Sequence, residues 1–286
     1  MREVILSAGT VDYEDTGGAG PVVVLLTGVF VGTTVWRHVV EDLKADHRCV
    51  VLEVPLGAHR RPMARDADLS SIGLARLVAE FLEALNLREV TLVGCDWGGA
   101  QLVAAHGLDE RVARLVLMPQ ESFDNYPPGL PGRALRLSSM IPGATRLAMQ
   151  TLRVPGLRRS PVNFGLMSKR RIPDDIMDAW LAPALDDPKI RRDLLKYLRS
   201  TRRGEYVDAA AKLAGFAKPA LVLWAPEGRM MRPENGPRLA KALPQGRLIE
   251  VPDAYTLLPE DQPTICAREI RSFTADAHTP GPSSSL

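Results

Sequence analysis

Leu92-Val93-Gly94-Cys95-Asp96-Trp97-Gly98-Gly99-Ala100 sets an aspartate midway between two glycines, after an apolar strand-like run and before a helical one, Gln101 to Gly107. A chain passing directly from strand into helix turns so sharply that only small residues fit two positions either side of the apex. That requirement accounts for Gly94 and Gly98. The same turn holds the apex side chain, Asp96, out over the end of the strand. Amide groups opening the following helix favour negative charge there.

Working outward, short apolar runs recur at Val22–Leu26, Cys49–Leu52, Val90–Val93, Arg114–Leu117, Ala220–Trp224 and Arg247–Val251. Helical patterns separate most of them. Ser71 to Leu85, for example, places Leu74, Leu77, Val78, Phe81, Leu82 and Leu85 on one face. Near-continuous apolar strands between amphipathic helices indicate an α/β protein with a mostly parallel sheet flanked by helices. The alternation stops between Asp124 and Phe216, where helical patterns rich in Arg and Pro take over. The expected organisation is a core of residues 1–123 and 217–275, a helical cap inserted at 124–216 over the carboxyl edge of the sheet, and a disordered tail at 276–286.

Composition narrows the function classes. A net charge of +2 over 286 residues argues against a dedicated nucleic-acid binder. Residues 124–216 hold 17 Lys and Arg against 9 Asp and Glu, a surplus of eight that leaves the remainder six negative. Those arginines read either as solvated helix faces or as an attraction for an anionic substrate. Cys49, Cys95 and Cys266 form no C-x-x-C pair and no metal-ligand spacing, which fits a reduced protein. No apolar run reaches bilayer length and Met1-Arg2-Glu3-Val4 opens no signal peptide, so a cytoplasmic location without a membrane partner is expected. No G-x-G-x-x-G stands in a dinucleotide context, and neither cofactor nor metal is expected.

The elbow resembles the nucleophile turn of the α/β-hydrolase superfamily, above all its haloalkane dehalogenase and epoxide hydrolase branches, which carry aspartate at the apex, commonly followed by tryptophan. The resemblance extends over about residues 10 to 275 and implies an α/β-hydrolase fold. It implies for Asp96 attack on a carbon to form an ester, with a histidine activating the hydrolytic water and an acid orienting that histidine.

At three places the sequence departs from that pattern. Thr27, in Leu26-Thr27-Gly28-Val29-Phe30, stands where His-Gly is usual. The loop is retained, so amides of Val29 (or Phe30) and Trp97 are candidates for an oxyanion hole. The string Trp224-Ala225-Pro226-Glu227-Gly228 puts Gly228 at the usual acid position, and Glu121, after the preceding strand, is the alternative acid. In Asp253-Ala254-Tyr255-Thr256, Thr256 takes the histidine position and Tyr255 that of a glycine. Of the five histidines, His59 alone follows a strand on the carboxyl edge and is the conceivable replacement base.

A triad without its histidine loses general-base assistance of roughly 10²–10⁴-fold. The expected function is therefore non-hydrolytic: cyclisation, addition, elimination or isomerisation of a hydrophobic small molecule, as in natural-product biosynthesis. Asp96 would be acid or base, with Val29, Trp97 and Thr256 beside it and Thr27, Phe30, Tyr255, Glu121 and Tyr126 around the substrate. An epoxide hydrolase-like enzyme with a rebuilt triad, protonating through cap tyrosines among Tyr126, Tyr197 and Tyr206, is the first alternative. A non-catalytic ligand-binding protein is the second.

Overall fold

The computed structural model describes residues 1–276. The expected tail, 276–286, lies outside them apart from Asp276, which ends the last helix.

Eight strands form one sheet: β1 (Arg2–Leu6), β2 (Gly9–Asp15), β3 (Val22–Leu26), β4 (Arg48–Leu52), β5 (Val90–Asp96), β6 (Val112–Gln120), β7 (Ala220–Trp224) and β8 (Gly246–Glu250). Their order is β1-β2-β4-β3-β5-β6-β7-β8. β1 and β2 run antiparallel to each other, β2 antiparallel to β4, and every later pairing is parallel. β5 lies between β3 and β6, and all seven of its residues are buried. Cover on both faces explains the near-continuous apolar run that precedes the elbow.

That cover comes from α1 (Arg37–Leu43), α2 (Ser71–Ala84) and α3 (Gly99–Ala105). Six helices then follow between β6 and β7: α4 (Gly129–Ser139), α5 (Ala144–Met149), α6 (Pro155–Arg158), α7 (Asp174–Asp186), α8 (Pro188–Ser200) and α9 (Arg203–Lys212). Among the described residues no strand interrupts them. The chain closes with α10 (Asn235–Ala242), α11 (Leu258–Asp261) and α12 (Pro263–Asp276). α12 packs on α1, and α2 on α3.

The helical insertion is fastened to loops at the carboxyl ends of the strands. Asp187 caps α8 by accepting the Lys189 N–H at 2.7 Å, with Pro188 in the first turn, and so separates α8 from α7. The indole of Trp180 on α7 donates to Thr34 at 2.7 Å. Asp193 on α8 accepts the Met63 amide at 2.8 Å. Buried Asp261 accepts the amides of Lys169, Arg170 and Tyr255 and the Ser168 hydroxyl, tying the insertion to the last loop. Amides donating to a buried carboxylate make stronger bonds than neutral pairs, so this junction is a firm one.

Candidate active site

Asp96 ends β5 with φ at 65°, the left-handed value an elbow apex demands. The two glycines are small for steric reasons. A Cβ on Gly94 would stand 2.8 Å from the Ala100 Cβ, and one on Gly98 would stand 2.4 Å from the Glu121 carbonyl oxygen. Gly28 is under the same pressure, since a Cβ there would lie 2.3 Å from the Asp96 carboxylate. Its absence lets the next amide reach in: the Val29 N–H donates to Asp96 Oδ2 at 2.8 Å. Burial pushes the Asp96 carboxyl up to about 7, and the Val29 bond pulls in the opposite direction.

A second carboxyl belongs to the same site. β5 and β6 pair Asp96 with Gln120, and the Glu121 amide donates to the Asp96 carbonyl at 3.0 Å. The Glu121 side chain is buried and receives two phenols on Oε2, Tyr197 from α8 at 2.7 Å and Tyr206 from α9 at 2.5 Å. Burial dominates and pushes Glu121 up to about 8; the two O–H donors lower it and the neighbouring Asp96 charge raises it. Burial also holds both tyrosines well above the usual phenol range, so each remains an O–H donor.

Asp96, Glu121 and Tyr197 line one cavity of about 150 Å³. That size suits a small organic molecule rather than a drug-sized one. Most of the remaining wall is apolar and comes from the insertion, including Pro128, Leu135, Met149, Leu152, Phe164 and Met167. Tyr126 adds a buried hydroxyl without a partner among the described residues.

The sequence-predicted residues divide into two sets. Val29, Phe30, Asp96, Glu121 and Tyr126 meet in this cavity. Thr27, Trp97, Tyr255 and Thr256 do not line it, and their expected roles are corrected. The Thr27 hydroxyl accepts the Val54 amide at 2.9 Å and serves the loop after β4. Trp97 is fully buried, with its ring packed where a Gly99 side chain would otherwise be. Half-buried Tyr255 lies beneath the cations of Lys169 and Arg229, at 5.4 and 5.7 Å. Thr256 is buried under the elbow, its carbonyl accepting the Cys95 thiol at 3.4 Å.

The expected oxyanion hole is corrected too. The Trp97 amide bonds the Cys95 carbonyl at 2.8 Å and the Phe30 amide bonds the Leu56 carbonyl at 3.0 Å. Of the three amides, that of Val29 donates to the Asp96 carboxylate itself. His59 is likewise no replacement base. It is buried beside Asp193, with Nε2 3.4 Å from Oδ2, while Nδ1 accepts the Gly57 amide at 3.2 Å. No histidine bonds Asp96 among the described residues, and Glu227 sits on the surface against Lys169.

Sequence reasoning placed Tyr197 and Tyr206 in the cap but did not connect them with Glu121. One signal was present: Ile190, Leu194, Tyr197 and Leu198 share the buried stripe of α8, and a tyrosine there needs a polar partner for its hydroxyl.

The α/β-hydrolase fold family matches residues 21–263. The chain belongs to that family. A haloalkane dehalogenase of Mesorhizobium japonicum is 25% identical over 280 residues, covering 92% of this chain and 87% of its own. A 2-hydroxy-6-oxononadienedioate/2-hydroxy-6-oxononatrienedioate hydrolase of Paraburkholderia xenovorans is 27% identical over 242 residues, covering 81% and 78%. Among solved structures, a loop variant of a haloalkane dehalogenase from Bradyrhizobium elkanii superposes with a TM-score of 0.76 at 20% identity, over 97% of this chain and 98% of that one. At that identity the likeness establishes the shared fold. These α/β-hydrolase relatives are hydrolases by name, so the family setting is enzymatic. Within it, this chain's carboxyl pair faces an apolar cavity that no histidine among the described residues lines.

Proposed function

We propose that this α/β-hydrolase-fold protein catalyses a redox-neutral proton-transfer reaction, an isomerisation, cyclisation or elimination, on a hydrophobic small molecule held in the cavity. The observation that carries the reading is the pairing of Asp96 and Glu121. Both are buried, both ionise near neutral pH, and both line an apolar space that no histidine among the described residues enters. Two carboxyls in different environments separate into a base and an acid. Asp96, whose charged form gains the Val29 amide, is the base and removes a proton from the substrate. Glu121, the higher of the two, is the acid and returns one, while Tyr197 and Tyr206 stabilise the carboxylate that remains. One proton leaves the substrate and one arrives; no water is consumed and no electron changes hands.

A hydrolytic reading has one observation in its favour. With Oδ2 held by Val29, Asp96 presents its other oxygen as a nucleophile would, and the relatives are hydrolases. One experiment separates the two. Apolar ketones, lactones, epoxides and alkyl halides are incubated with the protein in D2O and followed by mass spectrometry. The proposal expects solvent deuterium in a recovered or rearranged ketone, lost in Asp96→Asn and slowed in Glu121→Gln. Steady Asp96-dependent release of hydrolysis products would overturn it.

A further inference from the structure

The segment that roofs the cavity has an outer face unlike the rest of the molecule. From Asn125 to Pro173 the sequence contains nine Lys and Arg and no Asp or Glu. The same segment exposes Leu130, Leu137, Met140, Ile141, Leu147, Val154, Leu157 and Val162, most of the large apolar side chains that face solvent in the described chain. Leu147 is 75% exposed and Leu137 67%. The arrangement follows the helices. On α4 and its end, Leu130, Arg133, Leu137 and Ile141 recur at helical spacing on one outward face. Arg133, Arg146 and Arg159 form no ion pair with any described residue, so their charge is uncommitted. Several inward residues of the same helices, such as Leu135 and Met149, form the cavity wall.

We infer that this face of the insertion docks on an anionic lipid bilayer surface, with the cavity receiving its apolar ligand from the lipid. Exposed apolar side chains on short helices, interleaved with unpaired arginines, fit the boundary between headgroups and acyl chains. The absence of any acid over the whole stretch matches a negatively charged leaflet. No described helix is long and apolar enough to cross a membrane, and surface docking requires none. The inference stands on the outside of the insertion, whatever reaction Asp96 and Glu121 perform inside.

The test uses the full chain with vesicles of phosphatidylcholine alone and of phosphatidylcholine with phosphatidylserine, in co-sedimentation at low and high salt. The expected result is preferential, salt-sensitive binding to the anionic vesicles, weakened about tenfold or more by Arg133→Glu with Arg146→Glu and by Leu137→Ser with Leu147→Ser. These side chains are exposed, so the variants keep the fold. Absence of vesicle binding, or equal binding to both vesicles, would overturn the inference. So would stable self-association without lipid that Leu137→Ser with Leu147→Ser abolishes, or capture by polyglutamate in place of vesicles.

Discussion

Replacing Glu121 by Gln changes the pH dependence of stability in a direction fixed by the site. The Glu121 carboxyl ionises at about 8 in the folded chain and at 4.5 ordinarily. Below 4.5 both folded and unfolded chains carry the proton, and the group makes no difference. Between 4.5 and about 8 the unfolded chain has released it while the folded chain retains it, so stability falls as pH rises. Above 8 both are ionised and the loss is complete. At about 1.4 kcal/mol per pH unit, the interval from 4.5 to about 8 caps that loss at about 5 kcal/mol. Coupling to Asp96, which shifts in the same sense, divides the figure between two groups. Gln keeps an oxygen to accept from Tyr197 and Tyr206 and carries no charge. The expected outcome is near-equal stability of Glu121→Gln and the parent at pH 5, with an advantage to the variant that grows up to about pH 8 and levels off above it. Urea unfolding followed by fluorescence reads this directly, because all four tryptophans are fully buried. A difference that is constant with pH, or that grows toward acid, would refute the account of Glu121 as a buried, largely neutral acid.

Two further substitutions test the geometry. Gly28→Ala places a methyl 2.3 Å from the Asp96 carboxylate; it should cost about 1–3 kcal/mol through overpacking and abolish deuterium exchange by displacing the base, with thermal melting and the exchange assay as the two readouts. His59→Ala leaves Asp193 with only Met63 and Arg192 as partners. It should lower stability by about 1–3 kcal/mol while leaving activity per folded molecule intact, and loss of activity at unchanged stability would return His59 to the reaction.

The elbow, the parallel sheet and the helical interruption could be read from sequence because each is governed by constraints local to the chain. A strand turning directly into a helix admits only glycine at positions 94 and 98, where neighbouring backbone and side chains leave no room for a Cβ. Strands covered on both faces are near-continuously apolar: β3 and β7 are so throughout, and β5 is so up to the elbow except at Thr91. The threonine at position 256 was equally visible, as was the placement of Glu121 after β6. The alignment of motifs did not reveal what the substituted residues touch. The resemblance implied places in the site for Thr27, Tyr255 and Thr256, yet their partners are Val54, Lys169 and Cys95. The Thr27 hydroxyl settles on the Val54 amide, while that of Thr256 is buried without a partner among the described residues.

Tertiary structure alone decided three matters. It brought Tyr197 and Tyr206 onto Glu121 across 76 and 85 residues of chain. It turned the Val29 amide onto Asp96 across 67 residues. It divided the arginine-rich insertion into an apolar wall inside and a basic, apolar face outside. Such contacts depend on how helices pack over the sheet, and packing is set by the shapes of many side chains together. Hydrophobic pattern and turn chemistry act within a few residues and so are written locally; the protonation of a buried carboxyl depends on which distant groups surround it, and that is fixed only when the chain closes.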